Sequence, residues 1–366
     1  MKPIRYTLSF CFALLFISCS TDSEDKEEDK TVILETREAY FPPIGSDAWE
    51  TLTMKELNWN EAAVQPLLDY LESKDTKAFL VLKDGRMVLE SYFNGSDAAD
   101  NNAWNSAGKT LTAMTIGIAQ EEGFLSLEDS SAEFLGAGWS GLTPTQQNNI
   151  RIRNHLTMTT GLDYTVENNF CTDADCLQYL NEPDTYWFYH QGTYTVLDQL
   201  VTTAVGQNLT RYFNQKIRNR IGMQGTFVEL GFNNVYFSTA RSMARFGILN
   251  LNRGVWDGTP ILGDSDYFDA MTTTSQQLNP AYGYLYWLNG KNNYRIPASE
   301  EEFTGKLIPN APDDLYAGLG ANDQKLYVVP SQKLVVIRMG NDASESNLGP
   351  SSFDDELWGL INNVID

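Results

Sequence analysis

Apolar and polar positions divide the chain into strand-like ends and a helical middle. Residues 78–83 and 86–93 are two β-rich runs flanking Asp84-Gly85, a pair that favours a tight hairpin turn. Residues 109–122 carry helical spacing, with Leu111, Met114, Ile118 and Ala119 on one face, and Gly123 stops the pattern. Helical and loop patterns fill 125–260. Strand patterns return at 282–288, 324–329 and 333–339, the last two joined by Pro330-Ser331-Gln332, and an amphipathic helix closes the chain over 353–364. Strands at both ends around a helical middle predict an α+β fold, in which the terminal strands share one antiparallel sheet flanked by helices. No internal repeat interrupts the even composition after Tyr40, so 41–366 reads as one domain.

The first 40 residues follow another pattern. Lys2 and Arg5 precede an apolar run from Leu8 to Ile17 broken only by Ser9. That run is too short for a bilayer span and has the shape of a signal peptide. It ends Phe16-Ile17-Ser18-Cys19, which resembles a bacterial lipobox with Phe16 in place of the usual Leu. The resemblance implies cleavage of 1–18, lipidation of Cys19 and a membrane held through that lipid; an ordinary secretory signal with a chance cysteine is the alternative. Residues 22–30 hold six acids and two lysines and cannot bury apolar area, so 19–40 reads as a solvated acidic tether. This tract also resembles surface-export signals of Bacteroidetes lipoproteins. The expected location is therefore the periplasm, the outer membrane or the cell surface. Export permits disulfides. With Cys11 removed and Cys19 lipidated, Cys171 and Cys176 remain to pair across a short loop, two free thiols being the alternative.

Charge and composition then narrow the function. The 366 residues carry 26 Lys plus Arg against 48 Asp plus Glu, a net charge of −22, which repels phosphate backbones and argues against a nucleic-acid partner. Only His155 and His190 could serve as a histidine base, and no HExxH, CxxC or G-x-S-x-G spacing occurs. No metal or cofactor is expected.

One local spacing carries chemistry. Ser106 opens the predicted helix and Lys109 follows one turn later on the same face. A serine hydroxyl needs a base within reach, and a buried lysine with a lowered pKa can supply one. The helix N-terminus favours negative charge developing beside Ser106. Alone, S-x-x-K is weak, since Ser23 and Lys26 repeat it inside the tether.

Five segments, in order, lift that spacing out of coincidence: 104–113 (WNSAGKTLTA), 154–162 (NHLTMTTGL), 183–194 (PDTYWFYHQGTY), 238–247 (STARSMARFG) and 318–330 (GLGANDQKLYVVP). Together they resemble the serine β-lactamase/penicillin-binding-protein superfamily on its class C side. The resemblance implies Ser106 as the acylated nucleophile, Lys109 as its base and Tyr189 as the proton shuttle to the leaving group, with a tyrosine pKa lowered by the adjacent Lys109. It implies an oxyanion hole from the N–H groups of Ser106 and Ala321, and substrate contacts from Gln191, Gly318, Leu319 and Gly320. Gln191 stands where many members have Asn. Gly318-Leu319-Gly320 replaces a Lys/His-Thr/Ser-Gly triplet, so the cation and hydroxyl that anchor a substrate carboxylate are missing.

That departure points to an esterase-like or amidase-like hydrolase acting on a small ester, amide or peptide-like substrate. A β-lactamase or peptidoglycan-directed activity is the second reading, and a non-catalytic surface binding lipoprotein the third. Apart from the resemblance, the aromatic run around Tyr189 reads as core or binding surface. His155 and His190 read as structural, Arg241 and Arg245 as partners of carboxylates, and the 163–183 loop as a cap over the site.

Overall fold

The computed structural model describes residues 37–346 and 348–365. The signal segment, Cys19 and the tether up to residue 36 lie outside the described residues. The main sheet is built from β1 (Thr76–Lys83) and β2 (Arg86–Tyr92) near the start of the chain, together with β6 (Trp287–Leu288), β7 (Tyr316–Gly320), β8 (Gln324–Val329) and β9 (Leu334–Gly340). Its order is β2-β1-β9-β8-β7-β6, antiparallel throughout. Asp84 and Gly85 both take positive φ, 52° and 82°, which is the turn geometry that matches the twist of a two-residue hairpin. The terminal strands do share the sheet: β1 pairs with β9, with Val81 opposite Val336.

Every residue of β7, β8 and β9 is buried, because helices cover both faces. Helix α4 (Ala240–Leu251) packs on β9 and β8. Gly247 permits that approach, since a Cβ there would sit 2.4 Å from Val335 Cγ1. The opposite face is covered by α1 (Val64–Ser73) and the closing helix α5 (Ser352–Ile365), which pack on each other.

Helix α2 (Lys109–Glu121) is preceded by a 3₁₀ turn, Asn105–Gly108, so Ser106 sits on that turn rather than in the first α-turn. The expected single apolar face is corrected: every residue from Lys109 to Ala119 is buried, because α2 runs through the molecule. The strand expected over 282–288 shrinks to β6, as Leu285 takes a positive φ of 61° and breaks the extended run. Within the region expected to be helical, β4 (Thr226–Leu230) and β5 (Asn233–Ser238) form a hairpin that joins β3 (Asn102–Ala103), just ahead of Ser106. Arg241 meets the carboxylate of Glu90, with Nε–Oε1 at 2.6 Å. Arg245 instead donates to the carbonyls of Pro42, Pro43, Ser46 and Ile221, which corrects its expected carboxylate partner.

Candidate active site

The Ser106 turn is clamped from both sides. On one side, Trp104 N–H donates to the Tyr236 carbonyl at 2.8 Å, and the Trp104 indole, fully buried, donates to Ser238 Oγ at 2.8 Å. On the other, strand β7 lies directly against the turn. A Cβ on Gly320 would stand 2.5 Å from the Trp104 carbonyl oxygen and 2.8 Å and 3.1 Å from the amide nitrogens of Ala107 and Ser106. Only a residue without a side chain fits there. A Cβ on Gly318 would stand 3.1 Å from the Ala107 carbonyl oxygen. Ala321 follows Gly320 beside Ser106, and its carbonyl accepts from Asn105 Nδ2 at 2.8 Å. Asn105 takes a positive φ of 48°, a conformation its short amide tolerates, and so ties the Ser106 turn to the end of β7.

The amine of Lys109 reaches Ser106 Oγ at 3.0 Å and Gln191 Oε1 at 2.9 Å. It lies 5.2 Å from the ring centroid of Tyr189 and 4.3 Å from that of Tyr194. Burial in this aromatic cage lowers the Lys109 pKa to about 7. Gln191 opens the short helix Gln191–Thr195. Its longer side chain bridges to Lys109, so the added methylene is accommodated.

Tyr189 is buried against Trp287, with ring centroids 5.7 Å apart, and against Tyr282 at 6.1 Å. Its phenol interacts with the Ser106 side chain. The expectation of a lowered tyrosine pKa is corrected. Burial pushes the phenol well above its ordinary value, and only the interaction with Ser106 opposes that rise. The cage therefore holds an amine that sheds its proton near neutrality and a phenol that keeps its own.

The structure thus brings Ser106, Lys109, Tyr189 and Gln191 together and sets Gly318, Gly320 and Ala321 along the same turn. Leu319 differs: it is 1% exposed, so its side chain packs in the core, which corrects its expected contact with a substrate. His155 donates from Nδ1 to the Thr193 carbonyl and, as a neutral ring, accepts from Ser131 Oγ at Nε2, and His190 meets Thr193 Oγ1. Burial lowers both to about 4, so both stay neutral near pH 7. A disulfide joins Cys171 to Cys176, with Cα atoms 5.8 Å apart. The 163–183 loop that contains it does not stand free over the site. The Asn169 carbonyl accepts from Gly192 N–H at 2.6 Å, which holds the loop against the helix that carries Gln191.

Sequence reasoning missed Asn105, Tyr194 and Trp287. Asn105 preceding Ser106 was a readable cue for a left-handed residue; Tyr194 closes the same 183–194 segment as Tyr189, and Trp287 is contributed by a distant strand. Among the described residues, no group of three or more His, Cys, Asp or Glu is placed to hold a metal ion, and no helix is long and apolar enough to cross a membrane.

Comparison with known proteins agrees with this architecture. The Beta-lactamase family model matches residues 68–352. Among solved structures, a Bacillus anthracis protein with a provisional 6-aminohexanoate-dimer hydrolase assignment is similar at TM-score 0.65 and 20% identity, covering 87% of each chain. A provisionally assigned beta-lactamase from Bacteroides dorei gives TM-score 0.67 at 14% identity, over 84% of this chain and 99% of the other. A penicillin-binding protein homolog from Caulobacter crescentus gives 0.62 at 12%, over 82% and 95%. At these identities the structures speak to fold alone. A search of curated proteins returned no match.

Proposed function

Because this chain belongs to the Beta-lactamase family, we propose that it is a serine hydrolase that cleaves an ester or amide through an acyl-enzyme on Ser106. The observation that carries the proposal is the 3.0 Å contact between Ser106 Oγ and a lysine whose pKa burial has brought to about 7. In its neutral form, Lys109 accepts the hydroxyl proton as Oγ attacks the carbonyl carbon. The oxyanion so formed takes hydrogen bonds from the N–H groups of Ser106 and Ala321. Each such donor supplies ~3–4 kcal/mol in sites of this kind. Tyr189, still protonated, gives a proton to the leaving oxygen or nitrogen and recovers one from Lys109. Water then attacks the acyl carbon, and Ser106 regains its proton.

The substrate reading rests on β7. Gly318, Leu319 and Gly320 offer no cation and no hydroxyl for a substrate carboxylate, which favours neutral esters and amides over β-lactams and D-Ala-D-Ala peptides. A fluorophosphonate probe tests the nucleophile: wild type is labelled and Ser106→Ala is not. Absent or unchanged labelling overturns the proposal and favours a binding protein. Turnover across matched ester, amide and lactam substrates then ranks the classes, with lactam hydrolysis above ester hydrolysis overturning the ester reading. The proposal includes export and a lipid on Cys19, supported by the N-terminal sequence; incorporation of labelled fatty acid that survives Cys19→Ala would overturn it.

A further inference from the structure

We infer that a buried ion network beneath β8, centred on Lys325, positions the oxyanion hole from behind; the inference rests on the Ser106 acyl-enzyme reading. Lys325 and Tyr327 project from β8, and Arg338 from β9, onto the sheet face that α5 covers. Lys325 Nζ lies 3.0 Å from Asp323 Oδ1 and 2.9 Å from Asp354 Oδ2, with all three side chains at most 2% exposed. Tyr327 donates to the other oxygen of Asp354, and Ser351 Oγ donates to Asp323 at 2.6 Å. Arg338, also fully buried, completes a set of two cations and two carboxylates.

This network ends on the turn that presents Ala321. Asn322 and Asp323 both take positive φ, 59° and 53°, a hairpin-turn conformation that their short side chains tolerate. Arg338 Nη1 donates to the carbonyls of both residues, at 2.9 Å and 3.1 Å. Lys325 also donates to the Gly349 carbonyl at 2.6 Å, and Gly349 lies flat on β7: a Cβ there would stand 2.7 Å from the Leu319 carbonyl oxygen. The carbonyls of Asn322 and Asp323, one and two residues past Ala321, are therefore held by a charge a strand away from the substrate. Burial would raise the Asp323 carboxyl, but Lys325 and the bonds from Ser351 and Ala343 hold it below its ordinary value.

Four desolvated charges are a costly way to fill a sheet–helix interface that apolar side chains could fill with equal stability. What the ions add is direction, and the direction here is that of the turn carrying the Ala321 N–H. Lys325, Asp323 and Asp354 are positioning residues, acting on the reaction only through that turn.

The test is the rate of fluorophosphonate acylation per titrated active site, from pH 6 to 9, in wild type, Lys325→Met and Ser351→Ala. Normalising to titrated sites removes any loss of folded protein. The expected result is a plateau at least tenfold lower in Lys325→Met and a few-fold lower in Ser351→Ala, with the midpoint near pH 7 unchanged because Lys109 is untouched. A per-site rate equal to wild type, with only the melting temperature lowered, overturns the positioning role and leaves the Ser106 reading intact. Should Lys325→Met fail to fold, Ser351→Ala decides, since it keeps every charge and removes one bond to Asp323. Failure of wild type itself to label overturns the Ser106 reading, and this inference with it.

Discussion

Lys109 Nζ lies 3.0 Å from Ser106 Oγ inside a cage of tyrosine rings, and burial lowers its pKa to about 7. The base form is thus populated at neutral pH. The acylation rate should rise with pH through a midpoint near 7 and then level off. Tyr189 adds no alkaline limb below about pH 10, because burial pushes its phenol upward. Pre-steady-state acylation of a p-nitrophenyl ester across pH 5.5–9.5 checks both statements. A bell falling above pH 8 would contradict them.

The same shift acts on stability. The folded pKa is below the unfolded one, so between about pH 7 and 10 the unfolded chain holds more protons and stability rises with pH. Replacing Lys109 by Met should flatten the Lys109 contribution to that slope while abolishing activity. Chemical denaturation of both proteins at pH 7 and 9.5 gives the comparison.

Tyr189→Phe removes the proposed proton donor and leaves the ring stacked on Trp287. Loss of a general acid of this kind typically costs about 100-fold or more in rate. We expect kcat to fall by that order with a melting temperature close to wild type, and the fall to shrink for esters whose leaving group needs no proton. Equal loss for p-nitrophenyl and alkyl esters would remove Tyr189 from the leaving-group step.

How far the residues announced this arrangement depends on distance along the chain. The β1–β2 hairpin was legible because its turn residues, Asp84 and Gly85, are the ones that accept positive φ. The Ser106–Lys109 pair was legible because three residues make one helical turn. Tyr189 emerged from the ordered segments rather than from any local pattern. The bond from Asn105 to Ala321 joins positions 216 residues apart, and no periodicity encodes it. The alternating aromatics of 282–286 imitate a strand, although Tyr282 packs on Trp187, Tyr189 and Trp287, Tyr284 on Tyr267, and Tyr286 on Tyr316. The β4–β5 hairpin escaped notice because Gly231 and two asparagines interrupt its apolar alternation.

Gly320 is the most demanding position on β7. Its alanine variant would drive a Cβ into the Trp104 carbonyl and the Ala107 amide, which are backbone atoms with no rotamer to yield. Gly320→Ala should lose ~1–3 kcal/mol of stability and reduce acylation per titrated site, because the displaced strand carries Ala321 away from Ser106. Gly318→Ala, with its nearest atoms at 3.1 Å, should be milder in both respects. Equal effects at the two positions would mean that the approach at Gly320 is not what aligns the turn.

The disulfide offers the last test, because the segment that leads into it touches the site through a backbone hydrogen bond. Cys171 and Cys176 are five residues apart, and closing so short a loop stabilises by about 2 kcal/mol through the unfolded chain. Asn169, two residues before Cys171, accepts from Gly192 N–H, and Gly192 follows the residue that accepts from Lys109. Reduction, or Cys171→Ser with Cys176→Ser, should therefore lower the melting temperature and also shift the midpoint of the pH–rate profile, since a displaced Gln191 no longer accepts from the lysine. That bond favours the charged amine, so its loss should move the midpoint downward. Acylation profiles measured with and without a thiol reductant decide the matter: a lower melting temperature with an unmoved midpoint would confine the disulfide to stability.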